Sequence, residues 1–364
     1  MAPTMRCDFI PLMTNDKPFL SEPSKSKNKN ELNYDPNNNM PTTNVYDSLC
    51  PNNENVILQY LRKWERRMGF VTPLIWTNVF FITLFHVVTC IWSAHALTLD
   101  MPKWQTCVYG FVVGALAGFG VTAGAHRYWC HRSFKANLPL QLFLLFCYSI
   151  AGQNSILNWV RDHRVHHKHS ETAADPHDAH RGFFFSHVGW LMMKKHPAVR
   201  VEGAKLDMAD ILNDPLVRFH NKYFLVFKIL LCFVLPTIIP VLCWNESWKF
   251  AFLSQTMLRY MFSLNATWSV NSFAHIWGNK PYDKNIMPAE NWMVSIIAMG
   301  EGWHNYHHTF PWDYKAAELP YTLNITTVML NMFAYMGWAY DLKVTSPELV
   351  KTVMENRGQH VKHH

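Results

Sequence analysis

The chain has 364 residues, of which 49% are hydrophobic and only 16% charged, and its formal net charge is +7. The charged share is well below the roughly 25% of soluble domains, which disfavours a soluble globular protein and favours an integral membrane protein. The positive charge is typical of a surface held against anionic lipid, so we expect the lipid bilayer, and no nucleic acid, as a partner.

Residues 1–53 are polar and interrupted by Asn and Pro, and they predict a disordered N-terminal tail without a signal peptide. The next segment, ENVILQYLRKWER, differs because its apolar residues from Val56 to Trp64 fall on one helical face. It predicts an amphipathic helix at the membrane interface, which would begin a main domain at residues 54–345. Residues 346–364 are charged and predict a polar C-terminal tail.

Uncharged runs at residues 71–99 and 104–125 each exceed the ~20 residues that a spanning helix needs. The short link between them predicts an antiparallel pair of transmembrane helices. Residues 223–245 and 250–271 predict a second pair. A further uncharged run, residues 136–160, could also cross the bilayer, and the histidines on either side of it decide that question.

Histidine is unusually abundant, with 20 residues, and much of it lies in short clusters near the predicted membrane boundaries. The clusters are AHRYWCHRS with His126 and His131, DHRVHHKHS with His163, His166 and His167, GWHNYHHTF with His304, His307 and His308, and NSFAH with Asn271 and His275.

The spacing gives these clusters a physical meaning. Positions i, i+3 and i+4 share one face of a helix, so each HxxHH motif is expected to present three imidazoles in one direction. The HxxxxH spacing of His126 and His131 brings two rings together only where a helix ends and its geometry loosens.

Imidazole suits zinc, copper, iron and nickel, and nine histidines are too many ligands for one ion but enough for two. Few carboxylates compete for direct coordination. We expect the nearby acidic residues to orient the imidazole rings instead; these are Asp162, Glu171, Asp175, Asp178 and Glu301.

A shared metal site requires all clusters on one side of the membrane. Residues 136–160 therefore cannot be a complete crossing, and should lie along or dip into the membrane face. The predicted fold is an all-α integral membrane protein with four transmembrane helices, a cytosolic histidine-rich helical cap, interfacial amphipathic helices, and both termini in the cytosol. Basic residues flanking the clusters agree with this orientation.

The clusters, in this order and spacing, resemble those of the membrane acyl-CoA desaturases of animals, the stearoyl-CoA desaturase family, including its insect members. The segments that carry the resemblance are GAHRYWCHRSFKA, WVRDHRVHHKHSETAADPHDAHRGFFFSHVGW, NATWSVNSFAHIWG and GEGWHNYHHTFPWDY. It extends over roughly residues 56–340.

The resemblance implies a multi-pass enzyme of the endoplasmic reticulum membrane with two ferrous ions. The implied reaction removes two hydrogens from a saturated fatty acyl-CoA and reduces O₂ to water. By default the double bond is Δ9, with Δ11 or another position open, and the electrons come from NADH through a reductase and cytochrome b5. The implied metal ligands are His126, His131, His163, His166, His167, His275, His304, His307 and His308, with Asn271 acting through water.

The resemblance also implies residues that contact the substrate. Those at the CoA entrance would be Asn78, Asn154, Arg161, Asp162, Lys194, Lys195 and Trp268. Those at the bend of the acyl tunnel would be Gln153, Trp159 and Thr267. For the basic residues, contact with lipid headgroups is the alternative.

The family limits chain length through side chains of the second helix, where this chain has YGFVVGALAGFG. Gly110 and Gly114 could deepen the floor of the tunnel, or they could serve close helix packing. Both interpretations stay open at this stage.

Other functions fit the sequence less well. The same scaffold could carry out a related di-iron lipid hydroxylation. A histidine-rich metal transporter would place its ligands midway along spanning helices rather than at membrane edges. A zinc protease is disfavoured because the HExxH motif is absent.

Overall fold

Helices form almost all of the regular structure. The computed structural model describes residues 42–50, 54–98, 101–318 and 323–359. Within these ranges the strands are limited to β1 (Lys135–Ala136) and β2 (Ala339–Tyr340), which pair antiparallel with Lys135 opposite Tyr340.

Two helices precede the first membrane helix: α1 (Thr42–Ser48) and α2 (Val56–Arg67). The helix α1 lies inside the segment predicted to be disordered, and the reason is that Tyr46 is 2% exposed and bonded to α2. The rest of the predicted tail, residues 1–41 and 51–53, lies outside the described residues. In α2 the apolar side chains of Val56, Ile57 and Tyr60 are exposed whereas Arg62 and Glu65 are buried, an arrangement that lipid would cover.

The first two long helices match the first predicted pair. The helix α3 is Trp76–Thr98, and α4 (Trp104–Phe119) continues without a break as a π-helical segment, Gly120–Cys130. Neither contains a charged side chain before Arg127, and their apolar surfaces are only partly covered by protein.

The uncharged run at residues 136–160 forms two helices, α5 (Leu138–Ala151) and α6 (Ile156–His169), bent by 85°. Asn137 and Ser155 cap their N-termini. At the bend Gly152 has φ +59°, and an added Cβ would lie 2.4 Å from Cys232 Sγ, so the position requires glycine. A straight crossing by this run is excluded, as expected from the histidines that flank it.

Short elements follow α6 and lie on the same side as the histidine clusters. They are the 3₁₀ turn Ala179–Arg181, the π-helical turn Phe185–Gly189, α7 (Trp190–Met192), α8 (Pro197–Ala204) and α9 (Ala209–Leu212).

The second pair of long helices is built from several joined segments. They are α10 (Pro215–Phe227), the π-helical Lys228–Val234 and α11 (Leu235–Trp244), then α12 (Trp248–Phe252), the π-helical Leu253–Leu258 and α13 (Arg259–Ile276). The remaining helices are α14 (Trp292–Ile297), α15 (His304–Thr309), α16 (Ile325–Tyr335) and α17 (Pro347–Arg357). The helix α17 lies within the predicted C-terminal tail, and its Val350 is buried against Tyr282, Tyr306 and Phe310.

Three helices of the described chain are long and apolar enough to span a membrane: Trp76–Ala96, Trp104–Cys130 and Pro215–Trp244. The bent pair α5–α6 would be a fourth if it is counted as one span. The run at residues 250–271, which we predicted as the fourth crossing, forms continuous helix but is not among these candidates. Its polar residues Gln255 and Arg259 are 1% and 5% exposed, so they face neighbouring helices while lowering the mean hydropathy. Three to four candidate spans therefore result.

The largest core cluster among the described residues includes the apolar residues between His126 and His131. It joins Phe119 and Trp129 of the second long helix to Leu140 and Tyr148 of α5 and Leu330 of α16, all 1% exposed or less. This packing fixes the end of the second long helix, which carries His126.

Candidate metal centre and substrate-facing residues

Two short helices and two helix ends present the predicted histidines. The helix α6 carries the second cluster, and Ser155 Oγ accepts the Asn158 N–H at its start. The helix α15 carries the third, and the carboxyl group of the partly buried Glu290 accepts the Tyr306 N–H at 2.7 Å. His275 lies at the last turn of α13.

His126 and His131 converge because the chain between them is π-helical. In a π-helix each N–H bonds the carbonyl five residues earlier, so residues i and i+5 share a face. The His131 N–H donates to the His126 carbonyl at 3.0 Å, and the two ring centroids are 4.9 Å apart. The expectation that these rings meet at a helix end is confirmed, since His131 follows the last residue of the π-helical segment.

The nine predicted histidines come together in two groups. The first group is His126, His131, His163, His167 and His307, and the second is His166, His275, His304 and His308. Within each group the candidate ligand nitrogens all lie within 4.8 Å of one another. The expectation that each HxxHH motif presents its three rings in one direction is therefore wrong. His166 lies in the second group while the rest of its motif lies in the first, and His307 lies in the first group while the rest of its motif lies in the second.

The nitrogen–nitrogen distances are those of ligands around a common ion. His126 Nε2 lies 2.9 Å from His307 Nε2, and His304 Nε2 lies 3.1 Å from both His275 Nε2 and His308 Nε2. Ligands about 2.1 Å from a metal are about 3.0 Å apart at right angles and about 3.4 Å apart in a tetrahedron. The first group offers five imidazoles, more than the four ligands of a tetrahedral zinc site.

Hydrogen bonding alone does not account for this convergence. The Glu301 carboxylate lies 2.8 Å from His126 Nδ1, a contact that favours a proton on this nitrogen and a lone pair on Nε2. In the same group His163 Nε2 lies 3.1 Å from the Nε2 atoms of both His131 and His167. A proton on one Nε2 atom can form a hydrogen bond with only one neighbouring Nε2 atom. Five Nε2 atoms that converge therefore favour a shared cation.

Three of the acidic residues contact ligand rings as expected. Asp175 lies 2.9 Å from His166 Nδ1, Glu171 lies 3.4 Å from His275 Nδ1, and Glu301 holds His126. Such contacts fix the tautomer and orientation of a ligand ring. Asp162 instead pairs with Lys195, and Asp178 accepts the His180 N–H.

Burial and neighbouring imidazoles favour the neutral form of six of the nine rings, the form that binds metal. Burial first, and then neighbouring imidazoles, hold the pKa of six rings well below the ordinary 6.5; they are His131, His163, His167, His304, His307 and His308. Burial raises the pKa of Asp175, but His166 outweighs it and holds that pKa below its ordinary value. The carboxylate is thus charged beside the ring that it orients.

Two residues that sequence reasoning did not select lie against the groups. His177 is 6% exposed, and its ring centroid is 4.3 Å from that of His166. Arg127 is 1% exposed and pairs with Glu301 at 2.8 Å. The position of Arg127 beside His126 in the AHR motif is the signal that could have identified it.

Asn271 lies one helical turn before His275 on α13 and is partly buried. That placement is compatible with the predicted water-mediated role, which stays a prediction.

The three residues predicted at the tunnel bend form one hydrogen-bonded chain. Trp159 Nε1 donates to Gln153 Oε1 at 3.1 Å, and Gln153 Nε2 donates to Thr267 Oγ1 at 2.8 Å. The Trp159 ring also stacks on His163 with centroids 4.8 Å apart. The chain of contacts lies directly beside the first histidine group.

Several residues predicted at the entrance lie near one another. Lys195 and Arg161 both pair with Asp162, at 2.6 and 3.5 Å. Lys194 donates to the Leu49 carbonyl at 2.6 Å, and Asn78 Nδ2 donates to the Leu191 carbonyl at 2.8 Å.

The other two are placed differently. Asn154 Oδ1 accepts the Ser155 N–H next to the bend between α5 and α6. Trp268 is 3% exposed and stacks with His86, so it lies within the protein rather than on its surface. Their roles toward substrate stay predictions.

Gly110 and Gly114 face the helical run at residues 248–276. An added Cβ at Gly110 would lie 2.9 Å from Gln255 Nε2, and one at Gly114 would lie 3.8 Å from Arg259 Cγ. These contacts support close helix packing, while the role of the two glycines in chain length stays a prediction.

The chain was compared with known proteins. The family model for fatty acid desaturases matches residues 102–325. An acyl-CoA Delta-9 desaturase of Acheta domesticus is 50% identical over 80% of this chain and 81% of its own length. An acyl-CoA Delta(11) desaturase of Trichoplusia ni is 52% identical over 72% and 75%, and stearoyl-CoA desaturase 2 of Rattus norvegicus is 47% identical over 78% and 79%. The chain whose histidines form these two groups therefore belongs to the fatty acid desaturase family.

Proposed function

We propose that the protein is an acyl-CoA desaturase that converts two adjacent methylenes of a saturated fatty acyl-CoA into a double bond. The balanced reaction consumes O₂, two electrons and two protons, and yields the unsaturated acyl-CoA and two waters. The electrons would come from NADH through a reductase and cytochrome b5, and the location would be the endoplasmic reticulum membrane with both termini cytosolic. Relatives at about half identity that carry acyl-CoA desaturase names support the substrate and the reaction.

The observation that carries the proposal is the convergence of nine imidazoles in two groups. We propose that the groups hold two ferrous ions, because the first group offers more than the four ligands of a zinc site and because zinc has no redox chemistry. Bound iron would supply the one-electron and O₂ chemistry that breaks unactivated C–H bonds, which amino-acid side chains cannot do.

The chain's own residues would position the substrate. The hydrogen-bonded Gln153, Trp159 and Thr267 would hold the bend of the acyl chain beside the first group, because Trp159 contacts His163 directly. Five of the nine rings are buried, which would help to keep water away from the reacting carbons; they are His126, His166, His275, His304 and His307. At the entrance Lys194, Lys195 and Arg161 would bind the phosphates of CoA.

The alternatives lose support. Membership of the desaturase family disfavours a metal transporter, and no observation on this chain favours hydroxylation over desaturation. The position of the double bond is not fixed by family membership, because the relatives include Delta-9, Delta(11) and Delta12 enzymes. We keep Δ9 as the default position.

The proposal is tested by expression in a yeast strain that lacks its own desaturase, with double bonds mapped in the fatty acids formed. The chain should restore unsaturated products, and His166→Ala should abolish them. His180→Ala is the matched control, because that ring is 60% exposed and belongs to neither group. Purified protein should hold about two irons per chain, as two groups of ligands imply. Absence of any new unsaturated product, or zinc as the sole bound metal, would refute the proposal.

A further inference from the structure

A fully buried carboxylate lies where the N-terminal helix, α2 and the start of α3 meet. Glu65 is 0% exposed and accepts the Tyr46 hydroxyl at 2.5 Å, the Leu74 N–H at 3.0 Å and the Trp76 indole N–H at 2.8 Å. It also pairs with Arg62 at 2.9 Å. One side chain thus joins three segments that are separate along the chain.

The segments joined at Glu65 reach the predicted entrance in two ways. Residues 73–75 run beside residues 192–194, with the Lys194 N–H donating to the Pro73 carbonyl at 2.8 Å and the Ile75 N–H to the Met192 carbonyl at 2.7 Å. From the other side, the Leu49 carbonyl that follows α1 accepts the Lys194 ammonium at 2.6 Å. Both the backbone and the side chain of Lys194 are therefore placed by segments that Glu65 holds together.

Lys194 has a different kind of hydrogen-bond partner from the neighbouring basic residues. Lys195 and Arg161 share the carboxylate of Asp162. Among the described contacts, the Lys194 ammonium donates to a carbonyl oxygen and not to a carboxylate. An ammonium fixed in direction but not neutralised is suited to bind a phosphate.

We propose that Glu65 is a positioning residue for the substrate entrance: through Tyr46 it fixes α1 so that the Leu49 carbonyl aims the Lys194 ammonium at a phosphate of the acyl-CoA. The inference rests on the proposed function, because it takes the ligand at Lys194 to be the CoA moiety. Glu65 touches no reacting atom, and it acts on substrate affinity through Lys194.

The second link between α1 and α2 is weaker. Arg66 pairs with Asp47 at 2.5 Å, but both side chains are about half exposed, and exposed pairs contribute little. Arg66 also lies over the Tyr46 ring, 5.3 Å from its centroid, and Tyr46→Phe keeps that contact. Loss of the buried bond from Tyr46 to Glu65 should therefore loosen α1 without detaching it.

The test measures dissociation constants and steady-state kinetics for two substrates in the purified full-length protein. Stearoyl-CoA carries the phosphates, and the stearoyl thioester of pantetheine lacks them. The variant Tyr46→Phe removes only the hydroxyl that donates to Glu65. Tyr60→Phe is the matched control, because Tyr60 is 69% exposed on α2.

For Tyr46→Phe we expect the dissociation constant and KM for stearoyl-CoA to rise about threefold to tenfold with kcat nearly unchanged, which is the net effect of losing one ordinary hydrogen bond. The pantetheine thioester should bind as tightly as it does to the unchanged protein. In a Lys194→Gln background the effect of Tyr46→Phe should vanish, because both changes act through one ammonium.

An equal weakening for both thioesters, an unchanged effect in the Lys194→Gln background, or no effect at all would overturn the inference. Glu65→Gln is the second variant, with melting temperature as the check on folding, and it should show the same dependence on the phosphates. The unchanged protein separates the two proposals, because its turnover of either thioester supports desaturation whatever Tyr46→Phe does.

Discussion

At the scale of single residues, the carboxylates determine what the imidazoles can do. Glu301 is 7% exposed and joins His126 to Arg127, each at 2.8 Å. Burial raises the pKa of the Glu301 carboxyl, but the Arg127 guanidinium outweighs it and holds that pKa below its ordinary value. A charged carboxylate keeps the proton on His126 Nδ1 and leaves Nε2 free to bind a cation.

Replacement of Glu301 by Gln should therefore weaken metal binding. Loss of the orienting charge is expected to lower the affinity of the first group about 10- to 100-fold, the usual effect of removing such a partner. The measurement is metal content per chain after dialysis against graded chelator concentrations. Glu355→Gln is the control, because that side chain is 65% exposed and distant in sequence from every histidine cluster. Equal metal retention by Glu301→Gln and the unchanged protein would contradict this role.

At the scale of elements, the π-helical segment Gly120–Cys130 is the feature that brings the first cluster into register. Its wider turn places His126 and His131 on one face, which an α-helix would not do. The same segment packs closely on α5. An added Cβ at Gly120 would lie 2.1 Å from the Tyr148 backbone nitrogen and 2.2 Å from the Cys147 carbonyl carbon.

The substitution Gly120→Ala should be strongly destabilising, because the atoms that it meets are backbone atoms that cannot rotate away. Overpacking of this kind costs about 1–3 kcal/mol or more, and we expect the melting temperature to fall by at least about 2 °C. The matched control is Gly114→Ala on the same long helix, where the added Cβ makes an ordinary contact of 3.8 Å with Arg259 Cγ. Thermal unfolding in detergent distinguishes the two, and equal melting temperatures would show that the α5 contact is not tight.

At the scale of the whole molecule, contacts at the end opposite the histidines join the two pairs of long helices. Glu246 accepts the Lys103 N–H at 2.8 Å and the Thr106 hydroxyl at 2.6 Å, so the turns near residues 103 and 246 adjoin. Both turns then lie at one end of the helices and both sets of histidines at the other. This arrangement supports two out-and-back pairs, with α5–α6 bent back toward the side from which it starts.

The bend predicts the sidedness of two lysines that flank residues 136–160. In a cysteine-free background, Lys135→Cys and Lys168→Cys should react with a membrane-impermeant thiol reagent from the same side. Lys249→Cys, next to the far turn, should react from the opposite side. All three positions are exposed. Labelling of positions 135 and 168 from opposite sides would make a shared metal centre impossible.

The sequence alone determined the class of protein and the histidines that converge in its two groups. Uncharged runs identified the long helices, and the clustered histidines identified all nine members of the two groups, because hydropathy and residue type are readable without coordinates. The bend at residues 136–160 was also predictable, because a straight crossing would have separated His131 from His163.

The tertiary structure decided how these parts are combined. Spacing along a helix fixes the angle of a side chain about the helix axis but not what the neighbouring helix presents, so the assignment of His166 and His307 to opposite groups could not be predicted. Residues 250–271 were predicted as a helix, but the burial of Gln255 and Arg259 among neighbouring helices was not predictable, because mean hydropathy averages over all faces. The polar sequence around Tyr46 gave no sign of α1, because the helix is held by tertiary contacts of Val45, Tyr46 and Leu49 with other parts of the chain.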